Sequence, residues 1–292
     1  MILARQSEIK RFKRCPRSEW LGYRRSGRGL KLQVSEVGIR DLGTLVHAGV
    51  ASYYTNGGFL AVLENERARL IEAEAWTPEW GAALEYASIM LEGYVQWVAE
   101  TGADVGEETV AVEERLEATF GVAHDEEVIV TGKLDRLVRD TMTGELILED
   151  TKTVQTLTPP PLEVDDQLLT YCWLAEANGY GTVTRIRHNM LRKVKRGPRA
   201  VPPFYGRVEV PVNDYQRASH EMHMQGTLLA LVESTLRRER GESHHRTNPP
   251  NPTRDCSWDC DFLPVCPMLD DGSDWEGVLE AMYEPRTEED DV

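Results

Sequence analysis

From residue 79 to residue 100 the apolar positions Trp80, Leu84, Ala87, Leu91, Tyr94, Val95 and Val98 recur at three- to four-residue spacing, the period of an amphipathic helix. Ser35–Tyr54 carries Leu42, Leu45, Val46, Gly49 and Val50 on one small-and-apolar face, which predicts another helix, and His47 lies within it. Upstream, residues 5–25 read as a helical region around Cys15 that ends at the Gly-rich turn Ser26–Gly29. After residue 108 the period shortens to two. Thr109–Phe120, Glu127–Asp140 and Gly144–Thr153 alternate or run apolar with β-branched residues, and DTMTG between the last two is turn chemistry. Three strands are therefore predicted, the second and third as an antiparallel hairpin. A proline-rich loop, TLTPPPLEV, closes the segment, and DDQLLTYCWLAEANGYG follows as a helix with an acidic start and a glycine-containing end. Strands at about 183–193 and 206–212 and a long helix at about 214–240 complete the pattern. Helices, three strands, a helix and further strands predict a mixed α/β fold rather than a regularly alternating parallel sheet.

A chain of 292 residues with 41% hydrophobic content suffices for a single elaborated domain. Its first residues hold no apolar run of signal-peptide length, and no window reaches the roughly 18 apolar residues of a membrane span. A cytoplasmic protein without a membrane partner is expected. The net charge of −16 speaks against phosphate binding, which needs Lys and Arg, but its distribution does not. Residues 1–40 carry eleven Lys/Arg against Glu8, Glu19 and Glu36, and residues 185–207 carry eight against no acid. Beyond Cys266 stand ten Asp/Glu and only Arg286. Two basic segments of this kind suit an anionic partner, although solvated faces give the same pattern.

The chemistry concentrates in EDTKT, Glu149 to Thr153. On a strand, Asp150 and Lys152 share one face and Glu149 and Thr151 the other. Asp135 lies on the neighbouring strand, where a hairpin register brings it beside Asp150. Two carboxylates and a lysine then converge, a hard-oxygen set suited to Mg²⁺ or Mn²⁺ beside a cation that acts on water or phosphate. Singly, each residue has an ordinary explanation. Lys152 beside Asp150 is a surface ion pair worth at most about 1 kcal/mol, His47 is a core histidine, and Tyr171 is helix packing.

Taken in order, Asp135, Asp150-Thr151-Lys152 and Gln167-x-x-x-Tyr171, with His47 upstream, resemble the PD-(D/E)XK nucleases of the RecB-like branch. The resemblance implies a restriction-endonuclease-like core sheet flanked by helices. It also implies that Asp135, Asp150, His47 and the carbonyl of Thr151 hold the metal, with Glu113 or Glu114 as a more distant contact. Lys152 would act on the attacking water or the transition-state charge, and Gln167 and Tyr171 would position Lys152 or the DNA strand. Leu134 stands where the family often has proline.

Three of the five cysteines crowd into CSWDCDFLPVC, residues 256–266. Thiolates in such clusters bind zinc or iron–sulfur centres, and both need four ligands. Cys256, Cys260 and Cys266 leave one position to Cys15, His244, His245 or Cys172. Cys172, between Tyr171 and Trp173 on an apolar helix, reads as core, whereas Cys15 stands in a polar, basic setting before Pro16. One N-terminal cysteine and a C-terminal trio are similar to the iron–sulfur members of the branch, the AddB nuclease domain and the CRISPR-associated RecB-like exonucleases. That similarity implies a [4Fe–4S] cluster on Cys15, Cys256, Cys260 and Cys266 that joins the two chain ends. The first gap here is one residue longer than the common C-x2-C, and zinc stays open as the alternative. The domain reading is one RecB-like nuclease domain over 1–268, with 1–34 and 241–268 as the cluster-binding clasp and 269–292 as an acidic tail.

The function implied is a metal-dependent deoxyribonuclease, an exonuclease on DNA ends or single strands in the recombination, repair or phage DNA metabolism of a bacterial cell. The two basic segments would grip the backbone, and Trp20, Tyr23, Phe204 and Tyr205 would either stack on bases or pack in the core. The alternatives are a non-cleaving module that binds DNA ends or a recombination or CRISPR-integration partner, and a CRISPR spacer-processing nuclease.

Overall fold

Local chemistry sets many of the element ends. The computed structural model describes residues 1–33, 39–197 and 199–287. In chain order these form strand β1 (Ile2–Arg5), helices α1 (Gln6–Arg14) and α2 (Pro16–Glu19), strand β2 (Leu30–Leu32), and helices α3 (Ile39–Asn56), α4 (Leu60–Glu72) and α5 (Pro78–Thr101). Strands β3 (Glu107–Ala123), β4 (Glu126–Asp140) and β5 (Leu146–Val154) follow, then helix α6 (Asp166–Ala177), strands β6 (Val183–Arg192) and β7 (Tyr205–Pro211), and helix α7 (Asp214–Glu239). Short helices α8 (His244–Thr247), α9 (Cys256–Asp259) and α10 (Met268–Asp271) lead to helix α11 (Trp275–Met282) and strand β8 (Tyr283–Pro285). The start expected at Ser35 for the helix carrying His47, and the end of the acidic segment at 288–292, lie outside the described residues. Among the described residues, no helix is long and apolar enough to cross a membrane.

The chain divides into two compact units. The first holds residues 1–33, Glu117–Gly132 and 218–287. Here β1 pairs in parallel with the start of β4, from Ile2↔Val128 to Arg5↔Thr131. His124 and Asp125, both at positive φ, make the two-residue turn into β4, a conformation that suits the twist of a hairpin. The helical region expected over 5–25 is interrupted at Cys15, which is extended at φ −162° and ψ 108°. Pro16 cannot donate into α1 and instead opens α2 at its first position. Near the other end of the chain, Trp275, Val278 and Leu279 give α11 an apolar face. It packs with Trp20, Leu21, Leu30, Phe262, Val265, Leu269 and Tyr283, while β8 pairs antiparallel with β2. Residues 275–285, acidic by composition, are thereby part of a core.

The second unit holds residues 39–116 and Lys133–Arg217. Helix α5 begins at the Thr77 cap, whose hydroxyl accepts from Trp80 N, and ends at Gly102 in the left-handed region. It packs with α3 and α4 through Leu45, Val46, Val50, Leu63, Leu84, Leu91 and Tyr94. The sequence pattern had no place for α4, because its charged residues interrupt the apolar face. Strand β5 pairs antiparallel with β4 (Arg136↔Glu149), parallel with β6 (Asp150↔His188), and β6 pairs antiparallel with β7 (His188↔Val208). The expected hairpin and the mixed α/β class are both present. Leu146 to Thr151 are buried on both faces, as in a strand interior to a sheet.

Candidate metal centre and cysteine cavity

The hairpin register decides which side chains meet. Continuing Arg136↔Glu149 by one residue sets Asp135 opposite Asp150. Asp135 Oδ2 accepts from Thr151 N at 2.8 Å and lies 3.5 Å from His47 Nδ1, which α3 carries to the hairpin. His47 also meets the Thr151 backbone. Lys152 Nζ donates to Asp150 Oδ1 at 2.7 Å, and Asp150 Oδ2 lies 2.9 Å from His188 Nε2 on the next strand. Ligand atoms of His47, Glu113 and Asp135 gather within 4.8 Å of one another, so Glu113 belongs with this group. Glu114 turns elsewhere, accepting from the Tyr180 hydroxyl at 2.6 Å. Glu113 reaches its position from a left-handed backbone, φ +51°, which costs a non-glycine residue on the order of 1 kcal/mol and is commonest at functional sites. Gln167, in the first turn of α6 behind the Asp165 cap, donates to the Tyr171 hydroxyl at 3.3 Å.

Burial and neighbouring charge push these groups apart. Burial and the nearby Lys152 lower His47 to about 4, which keeps the imidazole neutral and able to ligate. Burial and the Asp150 carboxylate raise Asp135 to about 7. Burial would raise Asp150 too, but His188 and Lys152 outweigh it and hold that carboxyl below its usual range. Two adjacent carboxylates in a partly buried site, beside a neutral imidazole and a backbone carbonyl, make a donor set that fits a hard divalent cation. His188 had no signal in the sequence, because it meets Asp150 only through the parallel pairing of β5 and β6.

The opposite face of β5 is a closed ionic network. Glu149, fully buried, accepts from Arg136 Nη1 at 3.0 Å and Arg187 Nη1 at 3.1 Å, and Arg207 Nε lies 3.5 Å away. Arg187 also pairs with Glu107 and Glu209, and Arg207 with Asp104, Tyr54 and Tyr94. Arg185 binds Asp140 and Glu209. The expectation that the whole of 185–207 grips DNA is therefore corrected. Arg185, Arg187 and Arg207 stand on strand faces opposite internal carboxylates. In the N-terminal basic segment, Arg14, Arg17, Arg24, Arg25 and Lys31 likewise pair with Asp259, Asp270, Glu8, Glu276 and Glu284. Trp20, Tyr23 and Tyr205 are buried in packing, and Phe204 is partly covered, which favours their core role over base stacking.

Cys15, Cys256, Cys260 and Cys266 line one cavity of about 240 Å³, together with Arg14, Arg17 and Asn251. Asn251 N points to Cys15 Sγ at 3.5 Å, Thr253 N to Cys256 Sγ at 3.3 Å, and Arg17 Nη1 to Cys266 Sγ at 3.9 Å. The Thr253 contacts lower the Cys256 thiol, whereas burial raises Cys266 despite Arg17. Cys172, His244 and His245, the other candidates for the fourth position, are not among the residues that line this cavity. Cys172 is fully buried in α6, with burial pushing its thiol up to about 12. His244 stacks on Trp20, and His245 Nδ1 lies 3.1 Å from Asp270.

The model of the PD-(D/E)XK nuclease superfamily matches residues 6–267. No curated protein matches the chain significantly. Among solved structures, the chain is similar to a candidate exonuclease from Eubacterium rectale, at 14% identity and TM-score 0.47, covering 88% of this chain and 86% of that one. It is similar to SSO0001 at 17% identity and TM-score 0.34, covering 80% and 89%. It is also similar to LHK-Exo, solved with dAMP, at 14% identity and TM-score 0.34, covering 68% and 95%.

Proposed function

The chain belongs to the PD-(D/E)XK nuclease superfamily, and from that premise we propose that it is a Mg²⁺- or Mn²⁺-dependent deoxyribonuclease of the RecB-like branch. It would act as an exonuclease on DNA ends or single strands, in recombination, repair or phage DNA metabolism. The observation that carries the reading is the convergence of Asp135, Asp150 and Lys152 from the β4–β5 hairpin with Glu113 from β3, which pairs with β4, and His47 from α3. His47, Asp135, Asp150 and the Thr151 carbonyl would hold the ion, with Glu113 beside them. A divalent ion there would supply Lewis-acid stabilisation of a phosphoryl oxygen and lower the pKa of a water. Lys152 presents its ammonium on the same strand face, where it offsets charge that builds on the phosphate. His188 and Lys152 fix the two oxygens of Asp150, and the Gln167–Tyr171 pair orients Lys152 or the strand.

Digestion of end-labelled single- and double-stranded DNA with Mg²⁺ or Mn²⁺ tests this. Asp150→Ala and Lys152→Ala should each lower the rate on the order of 100-fold or more. Equal digestion by wild type and both variants would overturn the nuclease reading.

The four cysteines around one cavity would hold a [4Fe–4S] cluster, with zinc as the alternative occupant. Backbone N–H groups and Arg17 directed at sulfur suit thiolate charge. The cluster's contribution would be a cross-link from α2 to α9 and its following loop, which couples cofactor binding to folding. Visible absorption and iron content of anaerobically purified protein test it. Colour that survives Cys15→Ala would remove Cys15 from the ligand set, and a colourless, zinc-loaded wild type would remove the cluster.

A further inference from the structure

Only part of the chain's positive charge is available to a polyanion. Of the eight basic residues over 185–207, Arg185, Arg187 and Arg207 belong to internal ion pairs. Two more shape the loop after β6. Arg192 Nη1 donates to the carbonyls of Val201 and Pro203, both at 3.1 Å. Arg196 lies 3.6 Å over the Phe204 ring and donates to the Tyr205 hydroxyl at 2.6 Å.

Lys193, Lys195 and Arg199 remain, and among the described residues none of them joins an ion pair or a side-chain hydrogen bond. Lys195 and Arg199 are exposed and Lys193 is half-buried. Three cations within seven residues, with no acid from 185 to 207, repel one another unless an anion lies between them.

Their place in the sheet gives that charge a use. β5 and β6 run parallel and end together, and Lys193 N donates to Val154 O at 2.7 Å. The loop thus leaves the sheet two residues, about 7 Å, beyond Lys152 on the neighbouring strand. The loop therefore begins at the end of the sheet nearest Lys152, where a strand bound at Asp150 and Lys152 would pass.

We propose that Lys193, Lys195 and Arg199 form the phosphate grip that holds a single nucleic-acid strand next to the metal centre. The assignment rests on the nuclease reading for its purpose and on the loop's own geometry for its place. Its partner class is a polyphosphate backbone, bound without regard to base, because the loop offers two ammonium groups and one guanidinium as positive charge, and contacts to phosphate carry no sequence information. The Arg192 and Arg196 contacts hold the loop's shape before the strand arrives.

Binding without turnover separates this proposal from the nuclease reading. Anisotropy of a labelled single-stranded oligonucleotide in EDTA, over a series of KCl concentrations, gives the slope of log K against log salt. With about 0.7 counterions released per phosphate contact, the Lys193→Ser/Lys195→Ser/Arg199→Ser variant should reduce that slope by about 2. A control that replaces the exposed Arg240, Arg246 and Arg254 with serine should leave it unchanged. An unaltered slope in the loop variant, with its wild-type melting temperature showing that it folds, would overturn the grip. An equal fall in the control would overturn it too. Cleavage assays on the same preparations judge the nuclease reading separately: an inactive wild type with the slope change present would sink that reading and leave the loop's role in binding intact.

Discussion

Replacing Glu149 with glutamine probes whether the ionic network behind the candidate metal site holds strand β5 in place. The change keeps the side chain's shape and removes one charge from a site that is completely buried. That charge faces Arg136 at 3.0 Å, Arg187 at 3.1 Å and Arg207 at 3.5 Å. Each such pair is worth about 4 kcal/mol at an effective dielectric near 20, before the cost of desolvation. Removing one partner of a buried pair typically costs about 3–5 kcal/mol, because the cations stay behind. Arg187 keeps Glu107 and Glu209, and Arg207 keeps Asp104, which puts the expected loss at the lower end. Roughly 3 kcal/mol corresponds to a fall in Tm of about 6–12 °C for a chain of this size class. Urea or thermal melts of wild type and Glu149→Gln at neutral pH read it directly. A loss under about 1 kcal/mol would refute the claim that the guanidiniums depend on this carboxylate. Since Asp150 and Thr151 follow Glu149 directly on β5, DNA cleavage by the variant should fall as well.

Two further outcomes are expected. A Cβ added at Gly93 would come within 2.3 Å of the Tyr205 hydroxyl, which donates to Met90 O and accepts from Arg196. Gly93→Ala should therefore destabilise by about 1–3 kcal/mol in denaturant melts, despite the better helix propensity of alanine. Adding Tyr205→Phe, which removes the crowding hydroxyl, should restore part of it; no rescue would mean that the strain lies elsewhere. Asp140 accepts from Met142 N and Thr143 N and then pairs with Arg185, contacts that hold its carboxyl at about 2, below the ordinary 3.8. A depressed folded-state value makes its contribution complete above about pH 4 and lost as pH falls through about 2. The stability gap between wild type and Asp140→Ala should be constant from pH 5 to 7 and shrink from pH 4 to 2, and a gap that grows on acidification would contradict this.

Elements whose signal is local follow from residue order alone. The apolar spacing over 79–100 became α5, because Thr77, Pro78 and Gly102 fix both ends without help from distant residues. DTMTG set the β4–β5 turn, and with it the register that brings Asp135 to Asp150, so the pairing of those carboxylates was legible from residue types and spacing. Ligand counting left Cys15 as one of four candidates to join the distant trio, and resemblance singled it out, since no local rule links residue 15 to residue 266. Other features depended on partners far away in the chain. β2 and β8 are three-residue strands that exist only by pairing with each other. His188 reaches Asp150 only across a parallel pair, and β1 adds to β4 without any turn to announce it.

Charge divided along the same line. The sequence counted the basic residues of 185–207 correctly and could not say which were free. Tertiary structure set Arg185, Arg187 and Arg207 against Glu107, Glu149 and Glu209, because alternate residues of neighbouring strands share a face and buried charges persist only with counter-charges. A spacing rule sees which residues recur along one element. Which face of that element meets carboxylate, cation or solvent is decided by the strand placed beside it.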